Sequence, residues 1–188
     1  IGGREIITVD SNANIGSKFS WYSDSSYEVI NQITLTLDDN YIGIGYEETP
    51  FFNFGNMIFK SDTNGAIIWK SILDSIYTTS FALISCSDGS ILIPGNMDIV
   101  NRPFFGYSSL YKVDSTGNIV WHRYYNTNFW QGHTNCLIAL DENYILGLPG
   151  STDLGFGLLK LDTAGNVLWC KTYFRASAFL LLQMTENP

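Results

Sequence analysis

Aspartate is the residue type that recurs in this chain at a spacing able to support chemistry. Asp62, Asp114 and Asp162 each stand three residues before a glycine, at Gly65, Gly117 and Gly165. Asp39, Asp88 and Asp141 mark a second set of short polar breaks. Carboxylates in tight turns invite calcium, which takes about six to eight oxygens from one compact loop. None of these segments has the D-x-[DN]-x-[DN]-G order of a calcium loop. Asp10-Ser11-Asn12-Ala13-Asn14 comes nearest, but its glycine, Gly16, falls one residue late and no Glu occupies the twelfth position. The expectation is turn capping, in which each Asp accepts hydrogen bonds from amides two residues on.

The other chemistry-bearing residues are sparse. His122 and His133 are the only histidines. His122 holds a position occupied by Lys70 and Cys170 in equivalent segments, and a position that accepts Lys, His and Cys does not carry a reaction. No G-x-S-x-G, H-E-x-x-H or phosphate-cradling glycine loop occurs. Cys86, Cys136 and Cys170 form an odd set without C-x-x-C spacing. Three unpaired, mostly buried thiols are expected, with one bridge plus one free thiol left open. No catalytic residue, metal ligand or cofactor-binding residue is assigned.

These residues are embedded in a chain of 188 residues with 15% aromatic and 15% charged content, a composition that excludes intrinsic disorder. Ten Lys and Arg against eighteen Asp and Glu give a formal net charge of −8. That excess repels phosphate backbones and anionic lipid, so neither nucleic acid nor a membrane surface is an expected partner. The apolar run Ala178 to Leu182 is too short to cross a bilayer. No signal peptide is read at the N-terminus and the chain does not begin with Met, as expected of a processed, trimmed or partial product.

The elements that position the aspartates repeat. Asp62 to Trp69 recurs as Asp114 to Trp121 and as Asp162 to Trp169, the tryptophans falling 52 and 48 residues apart. Lys60, Lys112 and Lys160 stand two residues before the three aspartates. Each unit reads as a hairpin whose turn is of the type-I-plus-bulge kind, with glycine in the left-handed conformation. The outgoing strand is apolar on both faces up to the Trp at which it ends, and reads as buried between neighbouring sheets. A second hairpin precedes the first in each copy: Ile33–Leu37 into Tyr41–Gly45, Ala82–Cys86 into Ser90–Gly95, and Cys136–Leu140 into Tyr144–Gly150. Four short antiparallel strands in each period is the pattern of a β-propeller blade.

The expected fold is therefore all-β, with blades at about 27–76, 77–127 and 128–174 and partial blades at 1–26 and 175–188. Ile6 to Ile15 reads as a decayed third strand and turn, with Ala13 replacing the glycine and Ser17 the tryptophan. Phe179 to Gln183, followed by Thr185-Glu186-Asn187, reads as a first strand and turn. The two ends either combine into one composite blade, closing a ring of about four, or belong to a window from a larger propeller, which is favoured.

The segments around Lys60–Trp69, Lys112–Trp121 and Lys160–Trp169, with Asp39–Ile42 and Glu142–Ile145, resemble a family of secreted bacterial repeats. Its consensus runs D-G-G-Y-I-I-x-G-Y, a loop, then D-x-W-L-x-K-L-D-x-x-G-x-x-x-W. The resemblance spans about residues 30–187. It implies an exported or cell-surface protein of the Bacteroidetes type, a passenger of the type IX secretion route. The D-x-x-G-x-x-x-W unit is also similar to the tryptophan-docking motif of quinoprotein dehydrogenases and outer-membrane assembly scaffolds. That likeness implies that Trp69, Trp121 and Trp169 staple blade to blade.

The segments that differ between copies join the second and third strands. Pro50-Phe51-Phe52-Asn53-Phe54 parallels Pro103-Phe104-Phe105, while the third copy has Ser151 to Phe156. These phenylalanines are read as inter-blade plugs or, alternatively, as a platform for a glycan or protein partner. The functional expectation is a non-enzymatic scaffold for interaction or adhesion. The alternatives are a fragment of a propeller enzyme, quinoprotein-like or carbohydrate-active, and a structural subunit of a surface assembly.

Overall fold

The computed structural model describes residues 3–9, 15–22, 27–48, 54–74, 78–79, 82–99, 102–125, 136–140, 142–148 and 156–173, with side chains described in a subset of these. All regular structure among them is β-strand, and no helix long and apolar enough to cross a membrane occurs there. The sequence expectations for Asp10–Asn14, Phe51, Phe52, His133, Asp141 and Phe179–Gln183 fall outside the described residues.

The strands form hairpin-connected antiparallel sheets in chain order. β1 (Gly3–Val9) pairs with β2 (Ile15–Tyr22). β3 (Tyr27–Leu35), β4 (Tyr41–Glu48), β5 (Phe54–Ser61) and β6 (Ile67–Asp74) form a four-stranded sheet in that order. In the next sheet the first strand is broken into β7 (Thr78–Thr79) and β8 (Ile84–Ser85), both paired to β9 (Ile91–Ile99), followed by β10 (Arg102–Val113) and β11 (Ile119–Tyr125). Near the break, the Leu83 amide donates to Gln32 Oε1 of the preceding sheet at 2.8 Å. β12 (Cys136–Ala139), β13 (Asn143–Leu148), β14 (Phe156–Asp162) and β15 (Val167–Tyr173) complete the third four-stranded sheet.

The core lies between sheets, and period-2 alternation divides each strand between two neighbours. Ile42, Ile44, Ile58 and Leu73 of β3–β6 pack with Ile91, Ile93, Tyr111 and Val113 of the middle sheet. The opposite face of the middle sheet supplies Leu92, Leu110 and Tyr125, which pack with Tyr144, Leu146, Leu148, Leu159 and Leu161 of β12–β15. Ile42, Ile58, Leu92 and Leu110 are fully buried, each contributing about 1.5–3 kcal/mol of transfer free energy.

The outgoing strands correct two expectations. They do not end at tryptophan: β6, β11 and β15 run on to Asp74, Tyr125 and Tyr173, because pairing with β5, β10 and β14 continues past it. Nor are their apolar starts buried between sheets. Ile67 and Ile68 are 44% and 52% exposed, Ile119 and Val120 47% and 56%, and Val167 and Leu168 53% and 52%. Among the described residues each strand is the edge of its sheet, paired on one side. In each, the register skips one residue after the turn, at Ile68, Val120 and Leu168. The bulge re-aims two successive apolar residues outward and spoils the edge as a template for further pairing.

Candidate functional site

The outer turns are built alike. In each, the Gly amide donates to the Asp carbonyl and the Asp amide donates to the carbonyl of the residue after Gly, as at Asp62, Gly65 and Ala66. Gly65, Gly117 and Gly165 have φ of 83°, 91° and 81°, the left-handed region that a type I turn with a bulge requires. Asp62 Oδ1 accepts from the amides of Asn64 and Ala66, both at 2.8 Å. Asp114 Oδ1 does the same with Thr116 and Asn118, and Asp162 Oδ1 with Ala164 and Asn166. Hydrogen bonds from Thr116 and Asn118 keep the Asp114 carboxyl at about 2, and those from Asn166 hold Asp162 low. These carboxylates are spent on their own turns.

The inner turns carry a second repeated device that sequence reasoning missed. Asp38, and not its neighbour Asp39, receives Lys60 Nζ at 2.7 Å across from β5, together with Thr36 Oγ1 at 2.6 Å. Asp39 supplies only a left-handed backbone, φ 58°, at the place that Gly89 (φ 79°) fills in the next copy. There Asp88 receives Lys112 Nζ at 2.8 Å and the Ser90 hydroxyl. Lys112 and then Ser90 keep the Asp88 carboxyl at about 2, and Lys60 leads the groups that lower Asp38. Burial works against the Lys112 charge, but Asp88 and Tyr144 outweigh it and hold the ammonium above its ordinary value. The signal was in the sequence: a lysine at one fixed place in three copies.

Trp69 and Trp121 join neighbouring sheets. The Trp69 indole lies over the Gly117 turn and its Nε1 donates to Ser115 O at 3.2 Å. Trp121 lies likewise over the Gly165 turn, where Tyr125 Oη donates to Gly165 O at 2.9 Å and Lys112 Nζ reaches Tyr144 Oη at 3.1 Å. A Cβ on Gly117 or Gly165 would stand 2.9 or 3.2 Å from the ring above it. Trp169 has Lys171 Nζ 5.0 Å from its ring.

Between the middle and last sheets lies a cleft of about 380 Å³ lined by Cys86, Asp88, Lys112, Trp121, Tyr144 and Thr163, among others. Within it Lys112 joins Asp88 to Tyr144, and burial raises both the Cys86 thiol and the Tyr144 phenol, so neither is an activated nucleophile at neutral pH. Cys86, Cys136 and Cys170 are not joined by disulfides; Cys86 and Cys136 are buried and Cys170 is exposed. His122 stacks on Tyr111, its cross-strand partner, at 3.5 Å between centroids, with Tyr124 at 4.2 Å. Lys70, at the same place in the first sheet, bridges Glu28 at 2.6 Å and Glu47 at 2.7 Å.

The phenylalanine segments sit on strands as much as on loops. Phe54 opens β5 opposite Glu48, and Phe104 and Phe105 lie within β10. Register there jumps from Arg102–Ile99 to Gly106–Asp98, so Pro103-Phe104-Phe105 is a three-residue irregularity at the end of the β9–β10 hairpin. Their side chains fall outside the described ones. No protein-family model matches the chain, and no curated protein matches it.

Proposed function

We propose that the chain is a β-propeller module without catalytic activity, serving as an interaction or adhesion scaffold of an exported or cell-surface protein. The observation that carries this reading is the use made of the polar groups. Asp62, Asp114 and Asp162 cap their own turns, Asp38 and Asp88 hold lysines, and the cleft's thiol and phenol are buried and protonated. Successive four-stranded sheets joined through one repeated junction support a propeller. The exported location rests on the resemblance to secreted bacterial repeats.

A ring closed by residues 1–26 would set Trp169 on a turn that carries Ala13, with the methyl group that the socket glycines lack. That favours a larger propeller over a closed ring of four blades. Function then falls to the connections between second and third strands, where copies differ: Phe51, Phe52 and Phe54 in one, Phe104 and Phe105 in the next.

The test is to probe arrays of glycans and envelope proteins with the labelled full chain and with a variant carrying alanine at those five positions. The reading expects saturable binding that the variant loses while its urea midpoint holds. Binding unaffected by the five substitutions would remove the phenylalanines from the reading. A co-purifying redox cofactor with dye-linked oxidation, or glycan turnover, would overturn it.

A further inference from the structure

We infer that the outer face of the β12–β15 sheet is a docking face for one more four-stranded sheet of the same repeat, joined in cis as this sheet is joined to the middle one. The two junctions inside the chain define what such a face looks like. On β3–β6 it consists of Ile42, Ile58, Trp69 and Leu73; on the middle sheet, of Leu92, Leu110, Trp121 and Tyr125. Register places Ile145, Leu158, Trp169 and Tyr173 at the same four positions of the last sheet, around Lys160 in place of Lys60 and Lys112.

The burial differs while the chemistry does not. Ile42, Ile58, Leu92 and Leu110 are fully buried, whereas Ile145 and Leu158 are half-buried. Leu73 and Tyr125 are 7% and 6% exposed, but Tyr173 is 42% exposed, resting on Phe156 at 4.8 Å. The last sheet thus presents the complete donor half of the junction that the middle sheet makes: an indole, a tyrosine hydroxyl four residues on, two aliphatic side chains and a lysine. What this half accepts is set by the acceptor half seen at that junction. It needs a turn glycine with a positive φ beneath the indole, a free turn carbonyl for the tyrosine, and a phenol for the lysine, as Gly165 and Tyr144 provide. A generic apolar partner supplies none of the three. The inference deepens the propeller reading, on which it rests, and is independent of the interaction or adhesion role.

The test is a chain in which residues 126–173 are repeated once after Tyr173, compared with the same extension carrying Gly165→Val in the added copy only. The intact extension should slow amide exchange along β15 roughly tenfold or more and protect Trp169 and Tyr173 from hydroxyl-radical labelling, and the valine should abolish both effects. No slowing, or slowing that survives the valine, overturns the inference. A second measurement needs no extension. In the chain itself Trp169→Ala and Tyr173→Phe should leave the urea midpoint unchanged, while Trp121→Ala and Tyr125→Phe lower it. Equal losses would show the face already covered and overturn the inference. So would a dimer of the unextended chain, in sedimentation, that Trp169→Ala dissociates, since it would assign the face to a second copy.

Discussion

At Gly117 and Gly165 two penalties coincide: a φ that only glycine adopts freely and an indole resting where a Cβ would stand, 2.9 and 3.2 Å away. Backbone strain alone costs about 1–3 kcal/mol, and displacing the ring adds to it, so Gly117→Ala and Gly165→Ala should each destabilise by about 2–4 kcal/mol. Trp121→Ala should cost a similar amount, and urea unfolding of the double variant with Gly165→Ala should show less than the sum. The ion pairs make a different prediction. Asp88 has a depressed folded-state pKa of about 2. Its stabilisation is present above the unfolded carboxyl value near pH 4 and is lost as pH falls through the folded value. Stability should therefore decline from about pH 4 toward pH 2, and Asp88→Asn should flatten that part of the curve. A profile identical in the variant would remove the pair from the account.

The strands were readable from sequence because their determinants are local. Asp, Gly and the apolar alternation all lie within a few residues of the turns they make, so Asp62–Ala66, Asp114–Asn118 and Asp162–Asn166 fold as the sequence implies. The recurring lysine was visible but its partner was not, since the Lys60–Asp38 and Lys112–Asp88 pairs join different strands and depend on which inner-turn residue faces β5 or β10. The outgoing strands were misread for a reason of geometry. Apolar residues on both faces usually mean burial, but here a bulge at Ile68, Val120 or Leu168 turns two of them outward on an edge strand. Ile68→Lys and Val120→Lys should accordingly change stability by no more than about 0.5 kcal/mol, and charge on the edge should reduce aggregation on heating. A loss of several kcal/mol from either would show that the residue is covered.

Taken whole, the three larger sheets contact one another in chain order, so stability is set by each sheet and by its junction with the next. The junctions are where the repeat motif acts: the tryptophan of one copy lies on the turn glycine of the following copy. That places the conspicuous motif in the service of the fold. The junction itself is open to direct observation in solution. An indole stacked on a glycine shifts that glycine's α-protons upfield by its ring current. In a two-dimensional NMR spectrum of the full chain, the α-protons of Gly117 and Gly165 should be shifted upfield, with cross-relaxation to the rings of Trp69 and Trp121 respectively. Glycine α-protons at random-coil positions, with no cross-peaks to either ring, would contradict the arrangement.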